Sequence, residues 1–242
     1  AMTEFDDTVE ALTKKLEDLG VADNTIVILL SDNGAMKFSW PDGATSPFQG
    51  EKATTWEAGV RVPAIVKWPG VVKPGTVIND IVAHNDWVPT LMAAAGEPGI
   101  KEKLLKGHKA NGKTWKVHAD GYDFLPYFKG KAKKGPREEI FYFGQGGELN
   151  AVRVNDWKVH FAVVEGNIAT GQRQVPGWPV IFNLKADPYE EMTFRESLFS
   201  ARWYADQMWL FVPIGTKVQE FLGSLEDYPF QAGSSLSVSG IN

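Results

Sequence analysis

The chain has 242 residues, 43% of them hydrophobic, enough apolar material for one large core or for one core with a small second one. Its net charge of −5 brings none of the basic excess of a nucleic-acid footprint, and its lack of cysteine excludes disulfides, zinc–thiolate sites and a cysteine nucleophile within these residues. No apolar run approaches the roughly 18 residues of a membrane span, so neither nucleic acid nor a membrane is an expected partner.

The first predicted element is a helix over residues 4–19. Phe5, Val9, Leu12, Leu16 and Leu19 recur at three- and four-residue spacing and mark one helix face, and Gly20 closes it. The pattern begins at the first residues, so the chain reads as starting inside a larger unit. A short loop leads to an apolar strand over 25–30, which ends abruptly in Ser31-Asp32-Asn33-Gly34. Helix, short loop and buried strand form the αβ half of an α/β sheet. A buried parallel strand that ends in a carboxylate and an amide presents oxygen ligands at a site's edge, and calcium and magnesium take oxygen ligands. The same four residues equally spell a plain turn, with Asp32 or Asn33 bonding local backbone and Gly34 at positive φ.

Residues 35–50 are polar, rich in Gly, Pro and Ser, and suit a site loop in length and position. Lys52 follows in a glycine-flanked segment, where it is either a surface lysine or a point charge that meets an anionic oxygen. Glu57 and Arg61 are expected to form a buried pair that fixes this segment. A strand over 64–70 is stopped by Pro69-Gly70, and 78–82 reads as a short strand. A helix over 88–95 takes Asp86 as N-cap and Pro89 in its first turn; His84, just before it, reads as structural. Residues 101–117 read as loop, 123–128 as one or two helical turns, and 129–137 as a basic, solvated turn.

From residue 139 the pattern changes. Segments 139–143, 150–154, 157–164 and 180–184 read as successive short strands of an antiparallel sheet, with Asn155-Asp156 as a hairpin turn. Gly144 to Glu148 is a glycine-rich turn that opens no helix. An amphipathic pattern runs over 192–225, broken near Val212-Pro213, and a Ser/Gly-rich tail over 231–242 is expected to pack loosely. His108, His118 and His160 lack the spacing of a zinc pair. The organisation is an α/β part over 1–130 and a smaller α+β part over 131–242.

Together these segments resemble the C-terminal part of a type I sulfatase of the alkaline-phosphatase superfamily, similar to bacterial arylsulfatases. The resemblance rests on DNTIVILLSDNGA (23–35), PFQGEKATTWEAGVRVPAIVKWPG (47–70), the helix block 86–96, and the blocks 120–130, 151–161 and 182–191, all in the family's order. It implies an α/β fold: part of a mixed, mostly parallel sheet flanked by helices, with a small C-terminal antiparallel sheet and a long helix. It implies calcium as cofactor, with Asp32 and Asn33 as two of its ligands, and Lys52 as a sulfate contact. It implies a small sulfate-ester substrate and a periplasmic or secreted setting, while Asp86 matches a structural position. The family's formylglycine motif is missing, since Ser39-Trp40-Pro41-Asp42-Gly43 comes nearest and lacks the arginine; the other calcium aspartates, histidines and second lysine lie in the family's N-terminal half. Gln49 and Ala58 stand where the family often has Arg and Gly. The expected function is thus a sulfuric ester hydrolase segment, inactive alone, which pairs with a missing N-terminal half or with copies of itself. A non-catalytic partner-binding remnant and a phosphate or phosphonate monoester hydrolase are the alternatives.

Overall fold

The computed structural model describes residues 2–39, 45–192 and 197–229. Residues 40–43 of the serine stretch that comes nearest to the nucleophile motif, and the tail 231–242, lie outside them.

The chain opens with helix α1 (Met2–Asp18), with Glu4 in its first turn and Lys15 in its last, each matched to the helix dipole. No residue of α1 is buried. Strand β1 (Val27–Leu30) follows and pairs with β2 (Ala64–Lys67) in antiparallel register, Val27 opposite Lys67 and Leu30 opposite Ala64. The two strands form a sheet by themselves, and every strand pair among the described residues is antiparallel, so the parallel pairing expected of β1 is not seen there. Between the two strands sits a single helical turn, α2 (Glu57–Val60), whose residues Glu57, Ala58 and Gly59 are buried.

Helices α3 (Trp87–Ala94) and α4 (Ile100–Lys106) are followed by a hairpin of β3 (His108–Ala110) and β4 (Lys113–Trp115), and then by α5 (Leu125–Phe128), which packs on α3. Residues 101–117 are therefore not loop. Asn111 and Gly112 both stand in the left-handed region, φ 51° and 74°, the backbone of a type I′ hairpin turn. Residues 78–82 form no strand: no neighbouring strand offers them a ladder, and Asp80 instead accepts the Gly135 amide at 2.7 Å.

The second half is built on a four-stranded antiparallel sheet in the order β10-β7-β6-β5, with β5 (Glu139–Phe143), β6 (Leu149–Val154), β7 (Trp157–His160) and β10 (Val180–Asn183). The predicted strand 157–164 divides into β7 and β8 (Val163–Glu165), because the amides of Phe161 and Ala162 both turn to the Asn150 carbonyl, at 2.7 and 3.0 Å. β8 pairs with β9 (Gln172–Gln174), a strand the sequence pattern does not announce. The hairpin turn at Asn155-Asp156 stands as predicted, with Asn155 at φ 51°.

Strand alternation gives this sheet two unlike faces. Val152, Val159 and Ile181 point to one side and meet Leu210 and Ile214, with Phe141 and Trp157 against them. That side is covered by α6 (Leu198–Gln207) and the long helix α7 (Phe211–Asp227). Ile214, Val218 and Phe221, at spacings of four and three, line one side of α7, and Phe221 stacks on Phe141 at 4.4 Å. Burying a side chain such as Ile214 contributes roughly 1.5–3 kcal/mol. The break between α6 and α7 falls at Met208–Leu210, a 3-10 turn, and Pro213 sits inside the first turn of α7, where its missing N–H costs nothing. The other sheet face carries Tyr142, Ala151, Lys158, His160, Val180 and Phe182, and faces Trp56.

Candidate functional site

Asp32 and Asn33 stand directly after β1, and the turn is tied on three sides. The Ser31 hydroxyl donates to the Asn33 carbonyl at 2.8 Å, and the Asn33 side-chain amide donates to the Gly34 carbonyl at 3.0 Å. His84 Nε2 lies 2.9 Å from the Ser31 carbonyl. A carbonyl only accepts, so Nε2 carries the proton there. Asn33 Oδ1 is left without a bond, and the Asp32 carboxylate has no hydrogen bond or ion pair among the described residues.

The turn is joined to the segment carrying Lys52. The Lys52 amide donates to the Ala35 carbonyl at 2.9 Å, the Gly34 amide to the Gly59 carbonyl at 3.0 Å, and the Lys37 amide to the Glu51 carboxylate at 3.0 Å. The approach is close enough to require glycine at both contacts. A Cβ on Gly34 would lie 1.6 Å from the Ala58 carbonyl oxygen, and one on Gly59 would lie 2.3 Å from the Thr54 carbonyl oxygen. The turn 51–54 is closed by Thr54, whose amide and hydroxyl both donate to the Glu51 carbonyl, at 3.0 and 2.7 Å. Its geometry holds Ala53 at φ 72°, in the left-handed region that disfavours a Cβ. The Lys52 ammonium makes no hydrogen bond or ion pair among the described residues.

A cavity of about 860 Å³ opens over the turn. Asp32, Asn33, His84, Arg61, Tyr142 and Arg153 are among its lining residues, so it runs from the end of β1 to the C-terminal sheet. Ala53 lines it, whereas Lys52 does not. The structure thus brings Asp32 and Asn33 onto one wall and ties Lys52 beside them by its backbone. The donor chemistry of Asp32 and Asn33 fits a hard divalent cation, as two of the six to eight oxygens such an ion takes. Among the described residues, no group of three or more His, Cys, Asp or Glu side chains could hold a metal.

Between α2 and β7 lies a buried ionic cluster that sequence reasoning missed. The Lys158 ammonium is 2.9 Å from both Glu57 Oε1 and Glu190 Oε1, and it lies 4.8 Å from the Tyr142 ring centre. Glu190 Oε2 accepts the Glu57 amide at 2.6 Å. His160 Nε2 is 3.0 Å from Glu190 Oε1, and its Nδ1 lies 3.5 Å from the Thr55 hydroxyl. None of these four side chains exceeds 2% exposure. Burial pushes His160 down to about 4, so it is neutral, donates from Nε2 to Glu190 and presents Nδ1 as an acceptor. Burial opposes the charge on Glu190, yet the His160 hydrogen bond and the Lys158 ammonium hold its carboxyl below the usual range.

The expected Glu57–Arg61 pair is corrected. Glu57 is buried, but its close partner is Lys158; Arg61 stands 3.9 Å away with 55% of its side chain exposed, its guanidinium over the Phe48 ring. Arg61 opens the three-residue link, Arg61-Val62-Pro63, between α2 and β2, and stands at the surface. The capping role of Asp86 is also corrected. Its carboxylate makes no bond to the α3 amides and instead accepts Ala83 and Tyr122 amides, each at 2.7 Å. Local alternation does not announce the cluster: Lys158 and His160 share a face with Tyr142 and Phe182, and Trp56 from another part of the chain makes that face a buried one.

The comparisons with known proteins converge. Residues 1–97 match the Sulfatase family, and residues 135–208 match the family described as C-terminal region of aryl-sulfatase. Mouse N-acetylgalactosamine-6-sulfatase is 31% identical over 212 residues, covering 78% of this chain and 37% of its own length. Human arylsulfatase A is 30% identical over 207 residues, with the same two coverages, 78% and 37%. The crystal structure of PsFucS1 sulfatase from Pseudoalteromonas sp. superposes with a TM-score of 0.78 at 28% identity, covering 96% of this chain and 44% of that one. The chain therefore spans less than half the length of these relatives.

Proposed function

We propose, for a chain that belongs to the type I sulfatase family and corresponds to its C-terminal part, that Asp32, Asn33 and Lys52 are its contribution to a sulfuric ester hydrolase site. The observation that carries this reading is the pair of backbone ties, Gly34 to Gly59 and Lys52 to Ala35, that hold an oxygen-donor turn against a lysine segment. Asp32 and Asn33 offer oxygens to calcium, with Asn33 Oδ1 freed because its amide nitrogen is occupied by Gly34. When bound, such an ion draws charge from the sulfate oxygens. Lys52, next to the cavity-lining Ala53, offers a positive charge to the same anion from the cavity's border. Two donors fall short of a full shell, so the nucleophile and the remaining ligands come from residues outside these 242.

The uncovered apolar surface supports the same reading. Phe5 and Leu12 on α1 and Leu19 just after it are 50%, 63% and 60% exposed, and Ile65 on β2 is 65% exposed. Patches of this kind mark packing surfaces, and we assign this one to the residues that complete the sulfatase core.

Assayed on an aryl sulfate with added calcium, these residues alone are expected to give no turnover; clear turnover would overturn the division of the site. In the protein carrying the complete site, Lys52→Ala and Asp32→Ala are each expected to lower kcat by about 100-fold. An aryl phosphate measured in parallel decides between the two esters, since both present tetrahedral oxyanions.

A further inference from the structure

Of the cluster Glu57, Lys158, His160 and Glu190, Glu57 alone lines the cavity over the Asp32–Asn33 turn, and the chemistry of the four is unusual for a stabilising core. A buried ion pair contributes little or nothing to stability compared with apolar residues of similar volume. Its value lies in geometry, because every partner has a fixed place and leaving one unpaired is costly.

That geometry has a direction. Three successive residues, Glu57, Ala58 and Gly59, each make one backbone bond to a different part of the site. The Glu57 amide binds Glu190 at 2.6 Å, the Ala58 amide binds the Gln49 carbonyl at 2.9 Å, and the Gly59 carbonyl receives the Gly34 amide at 3.0 Å. Glu190 thus grips the first residue of a short run whose next two residues set the ends of the Lys52 loop and the Asp32–Asn33 turn. Glu190 itself is held by Lys158 and His160 from β7, and stands at φ 55°, a strained backbone position for a residue with a Cβ. Trp56 completes the seat, packed on the His160 ring at 4.5 Å and on Phe182 at 5.8 Å.

We propose that Lys158 and Glu190 are positioning residues, through which the C-terminal sheet fixes the Lys52 loop against the Asp32–Asn33 turn. The functional meaning rests on the reading of Lys52 as the anion contact. Lys158 and Glu190 do not touch substrate; they set where Lys52 stands.

The test uses hydrogen exchange and acylation of this chain as it stands. Lys158→Met removes the shared cation, and Glu190→Gln keeps an oxygen for the Glu57 amide while removing the charge. In Lys158→Met the amides of residues 49–59 are expected to exchange about tenfold faster, while those of β6 and α7 stay within about twofold. The rate at which acetic anhydride labels Lys52, relative to exposed Lys73, is expected to shift by about threefold in the same variant. Glu190→Gln, which preserves shape, is expected to move both readouts the same way by a smaller factor, and it carries the test if Lys158→Met fails to fold. Equal acceleration in β6 and residues 49–59, or no acceleration in either, overturns the proposal. Lys52→Ala separates the two readings. It is expected to leave the exchange of residues 49–59 unchanged, so an unaltered turnover of Lys52→Ala in the protein carrying the complete site would sink the sulfate contact without touching the positioning role.

Discussion

Arg137 forms a two-pronged pair with Asp86, Nη2 to Oδ1 at 2.6 Å and Nε to Oδ2 at 2.8 Å, with the two side chains 5% and 1% exposed. The guanidinium also donates to the carbonyls of Asp120 and Glu139 and to the Asn85 side chain. This one arginine fastens the start of α3 to the strand β5, and Ala83 and His84, which precede α3, line the cavity over the Asp32–Asn33 turn. Arg137→Ala leaves the Asp86 carboxylate buried without its cation and is expected to cost about 3–5 kcal/mol. Lysine cannot reproduce the planar fork, so Arg137→Lys is expected to recover less than half of the loss. Urea unfolding of the three proteins measures both values.

That pair also marks where the sequence stops being readable. Arg137 ends a run, KGKAKKGPR, whose four lysines are all exposed, and nothing local distinguishes the one buried cation. Its partner lies 51 residues away, beyond any periodicity. Lys158 and His160 are hidden for a related reason: in an alternating strand, polar positions read as the solvent face, and only the approach of Trp56 from another part of the chain makes that face a core. What was legible depended on local patterns. The exit of β1 into Asp32 and Asn33, the strands β5, β6, β7 and β10, and the turn at Asn155 all follow from alternation and turn chemistry. The Asn111-Gly112 hairpin carried an equally local signal, the NG pair, inside a stretch otherwise too mixed to show a period.

Ala53 offers a gain rather than a loss. At φ 72° its Cβ is strained, and the turn around it is set by the Thr54 bonds to Glu51, which do not involve that side chain. Ala53→Gly is expected to raise the unfolding free energy by up to about 1 kcal/mol, the relief of the left-handed strain less the extra chain entropy of glycine. A denaturation midpoint that falls in the variant contradicts this account.

Gly34 has no such tolerance. The Cβ of Gly34→Ala would meet the Ala58 carbonyl at 1.6 Å, backbone against backbone, so either the Asp32–Asn33 turn or α2 must move. The expected cost is roughly 4 kcal/mol, at the large end of point substitutions. The Gly34–Gly59 bond is lost with it, so exchange of the Gly34 amide should rise by more than the global stability change accounts for. Equal changes in both would mean that the turn moves as one body with the rest of the chain.

The buried histidine gives the protein an acid limit whose sign follows from its position. His160 is pushed by burial to about 4 in the folded chain, against an ordinary value near 6.5 in the unfolded one. Between those values the unfolded chain binds a proton that the folded chain refuses, so stability is complete above about pH 6.5 and falls as pH drops toward 4. The ceiling on this loss is roughly 3 kcal/mol. Glu190, whose carboxyl is held low by His160 and Lys158, adds a loss of the same sign at lower pH. His160→Gln keeps a donor for Glu190 and does not titrate. Unfolding free energies of the two proteins between pH 7.5 and 4.5 are therefore expected to diverge in slope, steeper for the parent, and parallel curves would show that His160 is not the group that titrates.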